Sequence, residues 1–224
     1  MNGILVIDKP GGMTSHDVVS RVRRSLNMKR VGHAGTLDPM ATGVLVCLVG
    51  KSTKLFDKFV GFDKVYRATM VLGTVTDSAD TAGKVLEEHP YGDITREEVE
   101  EVLQSFRGEI DQVPPMVSAV KHKGRKLYEL ARKGITVKRE PKRICIHELR
   151  METFALPEVR LYVACSKGTY IRQLAHDIGE RLGCGACISQ IQRLRVGDFS
   201  LDEAISLEEI HESHLRHWQS PADV

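Results

Sequence analysis

Residues 32–45 read GHAGTLDPMATGVL and contain three glycines and one proline. This density of turn residues, without an apolar period, predicts an irregular loop rather than a helix or a strand. From Val44 to Val49 the chain is aliphatic, which predicts a buried strand directly after the loop. Asp38 therefore lies in a loop beside a rigid element, where functional side chains often occur. Taken alone, Asp38-Pro39 is only a pair that favours turns, and it indicates no chemistry.

The rest of the chain mixes short apolar runs with amphipathic segments. Because these do not alternate as in βαβ units, we predict an α+β fold with a mixed, mostly antiparallel central sheet flanked by helices and loops. We expect Ser15 to cap the first helix, and Thr95 with Glu98 to form a capping box for a later one. One domain is expected over residues 1–224, with an insertion around residues 76–115. The expected strands are residues 4–7, 44–49, 64–74, 143–154 and 159–165, and the expected helices include 126–133, 170–182 and 206–218.

The composition is that of an ordinary globular protein, with 42% hydrophobic and 28% charged residues. The longest aliphatic run, residues 44–49, is far shorter than the ~20 residues of a membrane helix. The N-terminus MNGILVID lacks the basic start, the long apolar stretch and the cleavage site of a signal peptide. We therefore expect a cytoplasmic protein that does not engage a membrane.

The five cysteines lie mostly in apolar stretches, which favours reduced, buried thiols over a disulfide framework. Cys184 and Cys187 have the spacing of half a zinc site or of a redox pair. A zinc site needs two further ligands at similar spacing, and the sequence has no second such motif. We therefore interpret residues 184–187 as a Gly-rich turn leading into a strand, and we expect no metal.

Basic residues are concentrated in two blocks, although the net charge of the chain is only +2. Residues 121–143 contain ten Lys or Arg against two Glu, and residues 21–30 contain five basic residues and no acidic one. Together the blocks favour a surface that binds a polyanion. Either block alone is better explained as solvated surface.

Five further stretches accompany the loop in chain order. They are LVIDKPGGMTS at 5–15, KVYR at 64–67, TDSAD at 76–80 with Gly83, PMVSA at 115–119 with Lys121 and GRKLY at 124–128, and CSKGTYIR at 165–172. In this order the six motifs resemble those of the bacterial TruB-type tRNA pseudouridine-55 synthases. The resemblance covers roughly residues 3–210 and implies the pseudouridine-synthase catalytic fold.

The resemblance implies a catalytic set of Asp38, Tyr66 and Arg172. An ionised carboxylate beside the ribose and the uracil can act as nucleophile or proton acceptor, and this role falls to Asp38. Arg172 is the implied partner that keeps Asp38 ionised, and Tyr66 stacks on the uracil, a contact worth ~1–3 kcal/mol per base. Isomerisation changes no oxidation state, so no cofactor is expected. The sequence leaves open whether Asp38 attacks the sugar, attacks the base or removes a ribose proton.

The implied substrate is the T-arm stem-loop of tRNA, whose uridine must be flipped out of its stack to reach a carboxylate. We expect His33 to wedge into the vacated stack, Asp80 to contact the flipped nucleotide or its loop, and Tyr170 to pack under the site. No protein partner is implied, and a monomer is expected. The expected contacts to RNA phosphates are Lys9, Lys121, Lys123, Arg125 and Lys126.

Many members of the family continue into a C-terminal PUA domain, whereas this chain ends at Val224, so no PUA domain is expected. Two alternatives stay open, namely the same chemistry on another RNA, including a guide-directed target, and a non-catalytic role in RNA binding or tRNA folding. The absence of long basic tails argues against guide-directed action. The intact set of Asp38, Tyr66 and Arg172 argues against binding alone, because binding does not need a desolvated carboxylate.

Overall fold

The computed structural model describes residues 1–116, 118, 121–122, 125–126, 135 and 137–218, with the backbone alone at 121–122 and 125–126. Three short 3₁₀ segments accompany the strands and helices, at Gly50–Leu55, Leu201–Glu203 and Glu212–His214. The strands are β1 Gly3–Lys9, β2 Val31–His33, β3 Thr42–Val49, β4 Lys64–Leu72, β5 Thr74–Thr76, β6 Val85–Glu88, β7 Gly108–Gln112, β8 Lys121–His122, β9 Arg125–Lys126, β10 Lys142–Ala155, β11 Glu158–Cys165, β12 Ala186–Val196 and β13 Phe199–Ser200. The helices are α1 Ser15–Ser25, α2 Phe56–Val60, α3 Arg96–Ser105 and α4 Ile171–Leu182.

The chain divides into two compact units. The first comprises residues 1–66 and the residues from Ile191 onward, and the second comprises residues 67–190. Strands β4 and β12 each begin in one unit and end in the other. The single domain and the insertion expected from the sequence stay predictions.

In the first unit, β3 is the central strand. It pairs antiparallel with β1 along its whole length, with Val6 opposite Val46, and antiparallel with β2 near its end. The last part of β12 runs parallel to the start of β3, with Arg193 opposite Gly43. The loop of residues 34–41, here called the Asp38 loop, connects β2 to β3. The core of this unit contains Ile4, Val6, Ala34, Val44, Val46, Leu48, Phe59, Val196 and Phe199.

Helix α1 begins one residue away from the cap that the sequence predicts. Its N-cap is Thr14, whose hydroxyl accepts a hydrogen bond from the Asp17 amide at 3.1 Å, while the Asp17 carboxylate accepts one from the Thr14 amide at 2.9 Å. This capping box satisfies two amides at the helix end. The prediction of Ser15 as the cap was wrong. The hydroxyl of Ser15 bonds instead to the backbone of Leu37.

In the second unit, the strand order is β12 (first part), β4, β11, β10 and β7. The capping box of Thr95 and Glu98 at α3 is confirmed. Helix α4 ends at Gly183, which has the left-handed conformation that glycine adopts readily. Strand β4 ends at Leu72 rather than at residue 74, because Gly73 has a φ of +85° and turns the chain into β5.

The predicted C-terminal helix over residues 206–218 was wrong. Its backbone pairs instead with the free edge of β1: the amide and carbonyl of Arg216 bond to those of Ile4, and the Ile205 amide donates to the Val6 carbonyl. Open strand edges present unpaired donors and acceptors, and these outweigh the amphipathic period of the segment. Only Glu212–His214 forms a 3₁₀ turn.

The predicted α+β fold with a mixed, mostly antiparallel sheet is confirmed, since β3 and β12 pair in parallel whereas β1, β10 and β11 pair antiparallel with their partners. The helix expected at 126–133 lies outside the described residues, apart from Lys126 in β9. Cys184 precedes β12 in a short turn, and all five cysteines are free thiols. Among the described residues, no helix is both long and apolar enough to cross a membrane.

Candidate active site

The backbone on both sides of Asp38 is tied to buried side chains of the first unit. The Ser15 hydroxyl accepts a hydrogen bond from the Leu37 amide at 2.8 Å and donates one to the Leu37 carbonyl at 3.1 Å. The Lys9 ammonium donates to the Pro39 carbonyl at 3.2 Å and to the carbonyl of the residue after itself at 2.7 Å. Both side chains are buried, whereas Asp38 is only half-buried. Buried side chains thus hold the backbone of the residues immediately before and after Asp38.

A third buried side chain, Arg193, reaches the Asp38 loop from β12. Its Nε donates to the Val44 carbonyl at 2.7 Å, and its Nη2 donates to the Gly35 carbonyl at 3.0 Å. The Nη1 atom lies 3.5 Å from the Thr36 carbonyl, at the limit of a hydrogen bond. The guanidinium therefore contacts the backbone on both sides of Asp38, near the start of the loop and at Val44 in β3, just after the loop ends.

The complete burial of Lys9 does not fit the phosphate contact that the sequence suggests for it. Its ammonium bonds to main-chain carbonyls inside the protein, where a phosphate of RNA cannot reach. Burial lowers the pKa of Lys9 to about 8, a shift that the negative charge of Asp38 opposes and the positive charge of Arg193 increases. Lys9 thus supports the Asp38 loop from within.

His33 ends β2 immediately before the loop and is half-buried. Burial, together with the nearby charges of Arg193 and His16, lowers the pKa of His33 to about 4, so the imidazole is neutral at pH 7. Within the described part of the chain, its Nδ1 atom is buried and has no hydrogen-bond partner. The wedge role of His33 stays a prediction.

Tyr66 lies in β4 and is 9% exposed. The strand predicted around Tyr66 is confirmed. The stacking on uracil stays a prediction.

The second unit contains Arg172 in the first turn of α4. This guanidinium is 3% exposed, donates to the Ser78 carbonyl at 2.6 Å, and lies 3.8 Å from the Asp80 carboxylate. The other oxygen of Asp80 accepts hydrogen bonds from the Ser78 hydroxyl and the Ala82 amide. Arg172 and Asp80 therefore form a buried ion pair, which the sequence did not indicate. The pairing of Arg172 with Asp38 stays a prediction.

Tyr170 is the residue before α4, and its backbone is held by a side chain from β7. The Gln112 amide group accepts a hydrogen bond from the Tyr170 amide at 2.8 Å and donates one to the Tyr170 carbonyl at 3.1 Å. Gln112 is 2% exposed. This contact fixes the start of the helix that carries Arg172.

The RNA contacts expected near residue 121 are described only in part. The backbones of Lys121 and Lys126 pair as neighbouring strands, as do those of His122 and Arg125. Lys123 lies outside the described residues. The four basic side chains expected there stay predicted RNA contacts.

Residues 23–171 match the sequence family described as TruB family pseudouridylate synthase, N-terminal domain. Residues 172–223 match the tRNA pseudouridylate synthase B C-terminal domain. The chain belongs to the TruB family of pseudouridylate synthases. It is 49% identical over 210 residues to the tRNA pseudouridine synthase B of Syntrophotalea carbinolica, covering 94% of this chain and 69% of that relative. It is 48% identical over 223 residues to the enzyme of the same name from Clostridium tetani, covering 100% and 77%.

TruB-family membership also agrees with the solved structures that this chain resembles. The structure of a Cbf5-Nop10-Gar1 complex matches with a TM-score of 0.73 and 32% identity, over 92% of this chain and 53% of that one. The TruB-type chain described here therefore spans about half the length of that solved chain. This structural similarity confirms the pseudouridine-synthase fold that the motifs predict.

Three residues that hold the backbone near predicted site residues were missed from the sequence, namely Ser15 and Arg193 in the first unit and Gln112 in the second. Each acts on the backbone of a distant residue, so no local period or charge pattern marks it. Ser15 lies within the opening motif, which is the one signal that could have indicated a role.

Proposed function

We propose that this chain isomerises uridine 55 in the T loop of tRNA to pseudouridine, with Asp38 as the essential carboxylate. The N1–C1′ glycosidic bond breaks, the uracil turns and a C5–C1′ bond forms, while the C5 proton is lost and N1 gains a proton. Arg172 and Tyr66 belong to the proposed catalytic set. The proposal places this reaction in the cytoplasm and requires no protein partner.

The observation that best supports this function is that buried side chains hold the backbone of the Asp38 loop in place. Ser15 and Lys9 hold the residues on both sides of Asp38, yet Asp38 itself is only half-buried. A carboxylate that reacts with a flipped nucleotide needs a fixed position and an open side, because misplacement of about 1 Å can cost 10²-fold in rate. A purely structural Asp does not need an open side. The names of the relatives, tRNA pseudouridine synthase B, support the choice of substrate.

The test uses the purified protein and a T-arm stem-loop that contains uridine 55, with pseudouridine mapped by carbodiimide-dependent primer extension. We expect conversion at this single position. Asp38→Asn keeps the shape and removes the charge, so it should abolish turnover while the Kd for RNA changes by less than about tenfold. Asp57→Asn, which alters an exposed carboxylate of α2, is the matched control and should keep wild-type activity.

A guide-directed reaction is the second candidate, because the chain resembles solved Cbf5 complexes at 32% and 27% identity. Conversion of the stem-loop by the protein alone would exclude dependence on a guide. Conversion that requires added guide RNA and partner proteins would favour the second candidate. RNA binding without any product would leave only the non-catalytic role.

A further inference from the structure

Arg193 is the largest fully buried side chain of the described residues, with 1% exposure. Its acceptors given above are main-chain carbonyls of the first unit, at Gly35, Thr36 and Val44. Gly35 and Thr36 precede Asp38 by three and two residues, and Val44 follows it by six. The planar guanidinium presents its donors in fixed directions, so it can bridge carbonyls on both sides of Asp38 at once.

The backbone of Arg193 lies directly against Gly43 of β3. Gly43 has a φ of +95°, and a Cβ there would lie 2.2 Å from the Arg193 carbonyl, which no real Cβ can do. Gly35 also has a φ of +95°, and a Cβ there would be in ordinary van der Waals contact with Nη1, at 3.6 Å. Gly43 therefore permits the close approach of the β12 backbone, whereas Gly35 is favoured by its left-handed backbone alone.

We propose that Arg193 is a positioning residue: by joining the start of the Asp38 loop to β3, which follows the loop, it holds the Asp38 carboxylate in its reactive place. The inference rests on the proposed function, since it assigns catalysis to Asp38. Arg193 acts through backbone carbonyls and does not touch the substrate. The bond network from Ser15 and Lys9 fixes the residues next to Asp38, whereas Arg193 joins the start of the loop to β3.

A fold-stabilising role alone makes a different prediction. Loss of Arg193 would then lower the free energy of unfolding, but folded molecules would react at the normal rate. A positioning role lowers the rate of folded, RNA-saturated enzyme and leaves RNA affinity almost unchanged. The two roles can be distinguished by measuring the single-turnover rate, the RNA affinity and the free energy of unfolding on the same variants.

The experiment compares Arg193→Lys and Arg193→Met with wild type. The control is Arg195→Met, which removes an exposed arginine from the same strand. Single-turnover rates at saturating T-arm stem-loop, Kd for that RNA and urea unfolding are measured below the unfolding transition of every variant. We expect Arg193→Met to lose about a hundredfold in single-turnover rate with Kd within about threefold, because a loop displaced by about 1 Å costs that much. Arg193→Lys should lose about tenfold, since an ammonium cannot reach the start of the loop and β3 at once.

Wild-type single-turnover rates in the folded Lys or Met variant would overturn the inference. If Arg193→Met does not fold, the single-turnover rate of Arg193→Lys alone tests the positioning role. Amide hydrogen exchange gives a readout that does not depend on activity. In Arg193→Lys, the Leu37 and Ala41 amides, which bond to Ser15 Oγ and the Asp38 carbonyl, should exchange about tenfold faster while α1 amides are unchanged. Unchanged exchange in the loop would refute positioning, whereas a wild-type protein inactive on every uridine would refute the proposed function alone.

Discussion

At the residue scale, the buried ammonium of Lys9 makes stability depend on pH. In the unfolded chain Lys9 keeps its proton up to the ordinary pKa of 10.5, whereas in the folded chain it releases the proton near pH 8. Between these values the unfolded state binds more protons, so the free energy of unfolding rises with pH. Burial also raises the pKa of Cys47 to about 12, which has the opposite effect.

The comparison of wild type with Lys9→Met isolates the lysine, because Cys47 is present in both proteins. From about pH 8 to about pH 9.5, we expect the stability of wild type relative to the variant to increase by about 1–2 kcal/mol. Urea unfolding at the two pH values measures it. Lys84→Met, which changes an exposed lysine, should show no such increase. A stability difference that stays constant with pH would mean that Lys9 remains protonated in the folded protein.

The buried pair of Arg172 and Asp80 affects how the predicted pairing of Arg172 with Asp38 can be tested. Arg172→Met leaves the Asp80 carboxylate without its cation, so the variant should lose about 3 kcal/mol of stability. The double variant Arg172→Met with Asp80→Asn should recover most of this loss, because the buried charge of Asp80 is removed together with its cation. Urea unfolding of both proteins is the measurement. If the double variant is no more stable than the single one, the ion pair is not the cause.

The stable double variant then gives a cleaner test of catalysis. A folded protein without Arg172 that retains a wild-type single-turnover rate would exclude Arg172 from the catalytic set. Because Asp80 is itself a predicted contact of the flipped nucleotide, the reference is Asp80→Asn alone. A rate in the double variant far below that of Asp80→Asn would support the pairing with Asp38 that the sequence motifs imply.

At the element scale, the parallel contact between β3 and β12 requires a glycine at position 43. Gly43→Ala meets the Arg193 backbone and also strains a left-handed residue, so we expect a loss of about 3–5 kcal/mol. Gly12 is the matched control, since its φ is +81° and a Cβ there has no atom within 4 Å. Gly12→Ala should cost only about 1–2 kcal/mol, the strain of the left-handed region by itself. Equal losses of stability in urea would show that the close approach of β12 does not matter.

Also at this scale, the C-terminal segment shows why an amphipathic period does not guarantee a helix. Residues 205 and 216 pair with β1, and Trp218 contacts the ring of Phe59 with centroids 4.9 Å apart. The apolar residues that suggested a helix are used by an extended segment instead. The start of α3 was predicted correctly and that of α1 to within one residue, because capping signals are local.

At the scale of the whole molecule, charge is distributed unevenly along the chain, with a net +8 in residues 121–143. If Lys123, Arg125 and Lys126 contact phosphates, their joint replacement by Ala should flatten the plot of log affinity against log salt by about two units. The control triple replaces Lys84, Arg96 and Arg181, which are exposed bases outside the block. Binding of the T-arm stem-loop at several salt concentrations is the measurement. An identical slope for wild type and the block variant would identify the block as solvated surface.

The amino-acid sequence by itself determined the α+β class, the family, the candidate carboxylate Asp38 and the positions of five strands, β1, β3, β4, β10 and β11. These follow from apolar periods, caps and ordered motifs, each of which is readable within a short window. The sequence also located Asp38 in an irregular loop before a buried strand, because glycine and proline exclude regular structure locally.

Only the tertiary structure decided what holds that loop. Arg193 and the Gly35 carbonyl are separated by 158 residues in the chain, and Ser15 and Leu37 by 22. Their partners are main-chain atoms, which every residue possesses and which therefore leave no mark on side-chain identity. For the same reason Lys9 looked like a surface cation and proved to be buried: its acceptors become available only when the chain folds.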